Sequence, residues 1–342
     1  MLTEALLTSL PETTPAVLEQ LGVRRTVYGF LYPETRALVD SLWAERPHAL
    51  YAEPYRDRQD ALHLPFLEAW ERWSAPALRL DRAALPCAYA THGSTEAIRE
   101  TLALHALARY AAGSVPRIHV FAGEYEGYAA QAAGYGIEVV QHDRGSYAES
   151  LRRQARAGDR MYLSEPSAID GNHWDGYGPF LRFLAAELPE VELMLDLCYV
   201  GCVAREYCLD LRSPNLGAVF FSLSKAFGVY YHRIGGVLSR APLPGLEGNR
   251  WFKNVFSLAL GTLLLGRFGV RELPGRYRER QRRAVERVAE RTGLPLAPSD
   301  ALLLAHHPLR PEHPEAAQLL ARGRAGDRVA RYCLTPLLEE LA

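Results

Sequence analysis

The 342-residue chain sets 39 Lys and Arg against 40 Asp and Glu, a formal net charge of −1, with 48% hydrophobic and 23% charged residues. This is the balance of an ordinary soluble globular protein with room for one large and one smaller domain, and it offers nucleic acid or an anionic membrane no electrostatic hold. The longest apolar run, Phe256 to Leu265, is too short to span a bilayer, and the opening MLTEALLTSLPETT has neither a basic nor an apolar leader region, so the cytoplasm is the expected compartment.

Residues 1 to about 50, broken by Pro11, Pro15, Pro33 and Pro47, predict short helices or an arm. The amphipathic stretch Phe66 to Ser74 predicts a helix. Thr91-His92-Gly93-Ser94-Thr95-Glu96-Ala97-Ile98 then opens a helical run to Ala112. Glycine and hydroxyl residues at such a start either cap the helix or turn its free N–H groups and positive dipole end toward an anion. Strands are expected at 117–121, 136–141, 161–163 and 191–195, with helices over 147–156 and 177–187 between them. Short apolar strands alternating with helices predict a parallel sheet covered on both faces, with ligands gathered at the carboxyl ends of the strands. Tyr125 and Asp196 stand just past two of those ends.

A further buried strand is expected over Ala218 to Phe221, leading into Ser222-Leu223-Ser224-Lys225. Only two of the 39 cationic residues are lysines, Lys225 and Lys253, so 37 are arginine. A lysine that survives such a bias does something a guanidinium cannot: its amine can lose a proton and condense with an aldehyde. Lys253, beside Trp251 and Phe252, has no motif around it and reads as a surface cation. From Asn249 the chain crosses into a smaller domain, with a charged helix over Arg276 to Arg291 closed by Gly293, strands over Asp300 to Ala305 and Val329 to Leu334, and a last helix over Leu337 to Leu341. The five cysteines, 87, 198, 202, 208 and 333, form no CxxC pair with a nearby histidine, so buried small hydrophobes are expected and no metal site.

The segment Ser222-x-Ser224-Lys225-x-Phe227-Gly228, followed by Arg233-x-Gly235, resembles the lysine motif of the fold-type I pyridoxal-phosphate enzymes, specifically the class I/II aminotransferase superfamily. The resemblance covers most of residues 50–342. It implies a three-layer α/β/α large domain with a mostly parallel sheet, of the aspartate aminotransferase type, and a smaller α+β domain. The expected division is an arm over 1–50, a cofactor domain over 51–248 and a small domain over 249–342. The implied cofactor is pyridoxal 5′-phosphate, held as an internal aldimine on Lys225. Ser222, Ser224 and Arg233 are then expected at the phosphate, together with Gly93, Ser94 and Thr95, which resemble the family's phosphate loop. Tyr125, in a stretch resembling Pro-x-Tyr-Pro-x-Tyr, would stack on the ring. Asp196 and Tyr199, matching Asp-x-x-Tyr, would hold the pyridine nitrogen and the ring oxygen, and Arg331 in the last strand would pair with the substrate carboxylate. Arg328 is its off-register competitor.

Two departures stand out. Where the family has a donor asparagine, Ser164-Glu165-Pro166-Ser167-Ala168-Ile169-Asp170-Gly171-Asn172 carries Ala168. Asn172 replaces that donor from a shifted loop, or Tyr199 holds the ring oxygen alone. His173 and Trp174, which follow, line a substrate pocket or simply anchor the loop. Tyr231 stands where the family has glycine. The resemblance implies transamination between an amino acid and a 2-oxo acid, with another fate of the same carbanion (elimination, cyclisation, decarboxylation or oxidation) as the rival and a cofactor-retaining regulator or degenerate scaffold as the non-enzyme alternative. It also implies a homodimer, with Tyr51 or Tyr55 reaching the neighbouring subunit's phosphate site.

Overall fold

The computed structural model describes residues 16–341 apart from 24–26, 46, 48–49, 51, 53–59, 250–253 and 325–327. Tyr51, Tyr55 and Lys253 therefore lie outside the described residues. The centre is a seven-stranded sheet built from Cys87–Thr91 (β1), Arg117–Phe121 (β2), Glu138–His142 (β3), Arg160–Ser164 (β4), Glu192–Asp196 (β5), Leu216–Ser222 (β6) and Gly235–Ser239 (β7). Their spatial order is β1-β7-β6-β5-β4-β2-β3. Every pairing is parallel except those of β7, which runs against both β1 and β6.

The strands are the near-continuous apolar runs of a sheet covered on both sides, and β6 is buried along its whole length. Alternation sorts their side chains between two cores. Tyr162, Met194 and Phe220 join Ile98, Leu102 and Tyr128 on one face, under the helices Ser94–Ala111 and Gly127–Gly134. Met161, Leu163, Leu193, Leu195, Val219 and Phe221 join Trp70, Phe180 and Leu264 on the other. There the helices Asp60–Ser74, Tyr177–Glu187 and Val255–Arg267 complete the third layer. At the start of the strands, Arg160 and Glu192 are register partners and their side chains pair at 3.0 Å.

A second sheet, all antiparallel, is formed by Ala297–Pro298 (β8), Leu304–Pro308 (β9), Ala321–Arg322 (β10) and Val329–Cys333 (β11), in the order β8-β9-β11-β10. The strand expected at 300–305 is displaced to 304–308. Residues 300–303 form a turn instead, because their backbone is claimed from outside the sheet: Ala301 N–H donates to Gly171 O and Leu302 N–H to Cys202 O. The charged helix runs Arg278–Thr292 and ends, as expected, on Gly293 in the left-handed region at φ 68°. Of the cysteines, 198, 202 and 333 are buried, whereas Cys208 is exposed and Cys87 is half-buried. Among the described residues no helix is long and apolar enough to cross a membrane, and no cluster of three or more His, Cys, Asp or Glu is arranged to hold a metal ion.

Candidate active site

The carboxyl ends of β5 and β6 and the start of β7 meet the amino end of helix Ser94–Ala111. Ser222 ends β6 in extended conformation and caps a single helical turn, Leu223–Ala226, which carries Lys225. Its Oγ accepts from Ser224 N–H at 3.2 Å and lies 3.1 Å from Ser224 Oγ. Eight residues after the lysine, Arg233 sits in the left-handed region at φ 51°, the only described non-glycine residue with positive φ. Such a conformation costs of order 1–3 kcal/mol and persists where the surroundings over-determine it. Here it turns the guanidinium back toward Gly93: Arg233 Nη2 donates to His92 O at 3.1 Å and to Thr95 Oγ1 at 3.5 Å.

Gly93 has φ +79°, and a Cβ built on it would lie 2.8 Å from Arg233 Nη2 and 3.7 Å from Ser222 Oγ. Glycine keeps open a cradle that any side chain would fill. Gly93 also supplies no side chain to cap the helix, so the first turn at Ser94 and Thr95 directs free N–H groups and the positive dipole end there. A left-handed arginine, a hydroxyl, an open glycine and a helix start together form a cradle that could hold an anion.

Alongside it is the acidic half of the site. Asp196, the last residue of β5, is 2% exposed. Its Oδ1 accepts from Cys198 N–H at 3.0 Å and its Oδ2 from Tyr128 Oη at 3.2 Å. Burial raises the Asp196 carboxyl, while Lys225 opposes that rise. Burial works against the Lys225 ammonium, yet Cys198, Tyr199, Asp196 and Tyr125 around it hold its pKa above the ordinary lysine range. Burial pushes the Cys198 thiol and the Tyr199 phenol well up. Lys225 Nζ lies 5.0 Å from the centre of the Tyr199 ring. Tyr125 is 36% exposed, packs edge-to-face on Tyr128 at 5.4 Å and is hydrogen-bonded to the Thr95 side chain, which ties the acidic half to the cradle.

Arg331, in β11, is buried, and its Nη1 donates to the carbonyl of Ala168. Tyr199 feels its charge as well as that of Lys225. Arg328 instead is half-buried and donates to Gln318 Oε1 at 3.0 Å. Of the residues singled out from sequence, Gly93, Ser94, Thr95, Tyr125, Asp196, Tyr199, Ser222, Ser224, Lys225, Arg233 and Arg331 thus converge.

Asn172 and Trp174 do not. The Asn172 side-chain Oδ1 accepts from Asp300 N–H at 2.9 Å and its Nδ2 lies 3.5 Å from His306 Nδ1, so it ties its loop to the second sheet. Trp174 packs edge-on to Phe121 at 5.1 Å and beside Tyr147 and Phe180, within the aromatic core over the sheet face opposite Tyr128. Of its two alternatives, the loop anchor is the one the packing matches. Tyr231 is 90% exposed and lines no part of this cluster. Residues that sequence reasoning passed over are Tyr128, Glu124 and Ser164. Glu124 is a buried carboxyl that accepts from Ser164 Oγ at 2.5 Å. Their signal was position alone: Glu124 just past the end of β2, Tyr128 at the start of the helix that follows, and Ser164 as the last residue of β4.

These residues fit pyridoxal phosphate: an anion cradle, a buried carboxylate in hydrogen-bonding surroundings, a flanking aromatic ring and one lysine among them. No protein-family profile matches the chain, and no curated protein sequence matches it either. Solved structures do. A histidinol-phosphate aminotransferase from Sinorhizobium meliloti, in complex with pyridoxal-5′-phosphate, is 16% identical with a TM-score of 0.67, over 99% of this chain and 98% of that one. An N-succinyldiaminopimelate aminotransferase from Mycobacterium tuberculosis is 15% identical with a TM-score of 0.70, over 99% and 97%. An Escherichia coli protein with a methionine aminotransferase function is 15% identical with a TM-score of 0.66, over 96% of each chain. At such identities the likeness is one of architecture: the chain has the fold of the fold-type I, class I/II pyridoxal-phosphate aminotransferases.

Proposed function

We propose that the chain is a pyridoxal-phosphate-dependent aminotransferase that moves the amino group of an L-amino acid to a 2-oxo acid. The observation that carries this reading is the convergence of the Gly93, Ser222 and Arg233 cradle with Asp196 and Lys225. The cradle and the first N–H groups of helix Ser94–Ala111 would hold the cofactor phosphate, Asp196 the pyridine nitrogen, Tyr125 the ring face, and Tyr199 the ring oxygen. When bound, the cofactor supplies an electron sink for charge developing at the substrate α-carbon.

The protein's own residues do the rest. Lys225 Nζ would provide the covalent attachment and, once displaced by the substrate amine, would carry the proton lost from the α-carbon to the cofactor carbon that had borne the aldehyde. Arg331, already aimed by the Ala168 carbonyl, would grip the substrate carboxylate in a two-pronged pair. A second reading, another fate of the same carbanion, draws support from Ala168, which has no side-chain donor where the resembled family has asparagine: a ring oxygen with fewer donors changes reactivity.

We take residues 51–248 as the cofactor-binding domain, 1–50 as an arm and 249–342 as the small domain. The working assembly is a homodimer, a reading supported by the exposed Tyr230, which packs on Arg233, and its exposed neighbour Tyr231, and the working compartment is the cytoplasm.

The test is reconstitution with pyridoxal phosphate and a screen of amino acids, with and without 2-oxo acids. The parent should become yellow and turn over repeatedly only when an oxo acid is present. Lys225→Ala should lose both properties and Lys253→Ala neither. Equal losses in the two variants would refute the assignment of Lys225, and turnover independent of oxo acid would select the second reading.

A further inference from the structure

Glu124 follows the end of β2 by three residues and lies buried beneath Tyr125. Its Oε2 accepts from Ser164 Oγ at 2.5 Å and from Tyr125 N–H at 3.3 Å, and its Oε1 from Ser164 N–H at 3.2 Å. Ser164 is the last residue of β4 and the register partner of Asp196. A serine hydroxyl has one proton and two lone pairs. With the proton committed to Glu124, Ser164 Oγ presents a lone pair to Ala168 N–H, which donates to it at 2.6 Å. The peptide on the other side of Ala168 is pinned as well: Ile169 N–H donates to Ser167 Oγ at 3.2 Å, and Arg144 Nη1 donates to that same oxygen at 3.2 Å. Ala168 is thereby fixed on both flanks, and its carbonyl is the oxygen that receives Arg331.

A carboxyl in an apolar interior is costly unless its hydrogen bonds are needed. Burial pushes Glu124 up to about 7, against the lowering by Ser164, Tyr125 and Arg144. None of the roles proposed above uses this group. We propose that Glu124 is a positioning residue: through Ser164 and the backbone of Ala168 it sets the direction of the Arg331 guanidinium, and with it the grip on the substrate carboxylate. This rests on the cofactor and Arg331 readings above. The relay predicts that losing Glu124 weakens recognition of a carboxylate while leaving the phosphate and ring contacts in place.

Two probes separate those effects on the full-length chain stripped of cofactor. Pyridoxamine 5′-phosphate carries the ring and phosphate alone, and N-(5′-phosphopyridoxyl)-L-alanine adds the amino-acid carboxylate. The ratio of their affinities by calorimetry isolates the carboxylate grip. Glu124→Gln and Ser164→Ala should each lower that ratio roughly tenfold, the scale of one charge-assisted hydrogen bond, while pyridoxamine phosphate binds within about threefold of the parent. Ser164→Thr, which keeps the hydroxyl, should retain the parent ratio. Ser164→Ala leaves every carboxyl in place and carries the test if Glu124→Gln does not fold. An unchanged ratio in the folded variants overturns the relay, as does equal weakening of both probes, the mark of a merely structural role. A parent chain that binds neither probe overturns the cofactor reading itself, and one that binds both alike overturns the role of Arg331.

Discussion

Replacing Glu124 by Gln should change how the stability of this chain depends on pH, and the size follows from the carboxyl's surroundings. Burial raises Glu124 from an ordinary 4.5 to about 7, while Ser164, Tyr125 N–H and Arg144 pull the other way. The other titratable groups facing it, Tyr128 and Cys198, are themselves raised and stay neutral over this range. A carboxyl whose folded pKa is raised contributes stability that is complete below about 4.5 and is lost as the pH climbs through about 7. Between pH 5 and pH 8 the parent should therefore lose about 2.5 kcal/mol through this one group, at about 1.4 kcal/mol per pH unit of separation. Gln cannot titrate. The difference in unfolding free energy between parent and Glu124→Gln, from urea titrations at the two pH values, should shift by that amount in favour of the variant at pH 8. Groups such as Glu165 and His173 titrate in both proteins and cancel. Parallel pH dependences would show that Glu124 is ionised at its ordinary value, and the argument from its burial would fail.

Gly93→Ala places a methyl 2.8 Å from Arg233 Nη2 at φ +79°, so pyridoxal phosphate affinity by absorbance titration should fall roughly tenfold or more. Unchanged affinity would remove the cradle from the phosphate site. Arg331→Ala should raise the apparent KM for amino acids roughly ten- to a hundredfold, the equivalent of about 1.5–3 kcal/mol, and Arg328→Ala far less. The reverse order would exchange their roles. Asn172→Ala should cost about 1–2 kcal/mol of stability, through the unmet Asp300 N–H, and leave the pH titration of the bound cofactor's spectrum unmoved. A shifted spectral titration would restore it as a donor to the ring.

Much of this was legible in the sequence because the informative residues are constrained locally. The apolar runs of β2, β5 and β6 are too short for helices and too uniformly buried for surface strands, so the parallel core could be read directly. Lys225 stood out through scarcity, and Ser222 and Arg233 through their spacing from it. What escaped reading depends on contacts distant in sequence. Residues 300–303 carry strand-like side chains, but Gly171 and Cys202 capture their backbone from more than 90 positions away. Asn172 has the chemistry of a ring-oxygen donor, and only the turn at Asp300 shows that its side-chain oxygen accepts from Asp300 N–H. Glu124 looked like one more acidic residue in a loop, since nothing local says that Ser164, 40 positions on, shuts it away from water.

The hairpin of β6 and β7 ties assembly of the sheet to assembly of the cradle. Ser222 pairs with Gly235, and the twelve residues between them hold both Lys225 and Arg233. A slip of one residue between these strands would exchange the faces of Phe220 and Phe221, which belong to opposite cores, and would carry Ser222 out of line with Gly93. Faulty zippering thus forfeits two hydrophobic layers at the moment it spoils the anion site. Correct pairing of the hairpin and the meeting of Ser222 and Arg233 with Gly93 are thus one event in folding, so molecules that complete the sheet are those in which the three stand together.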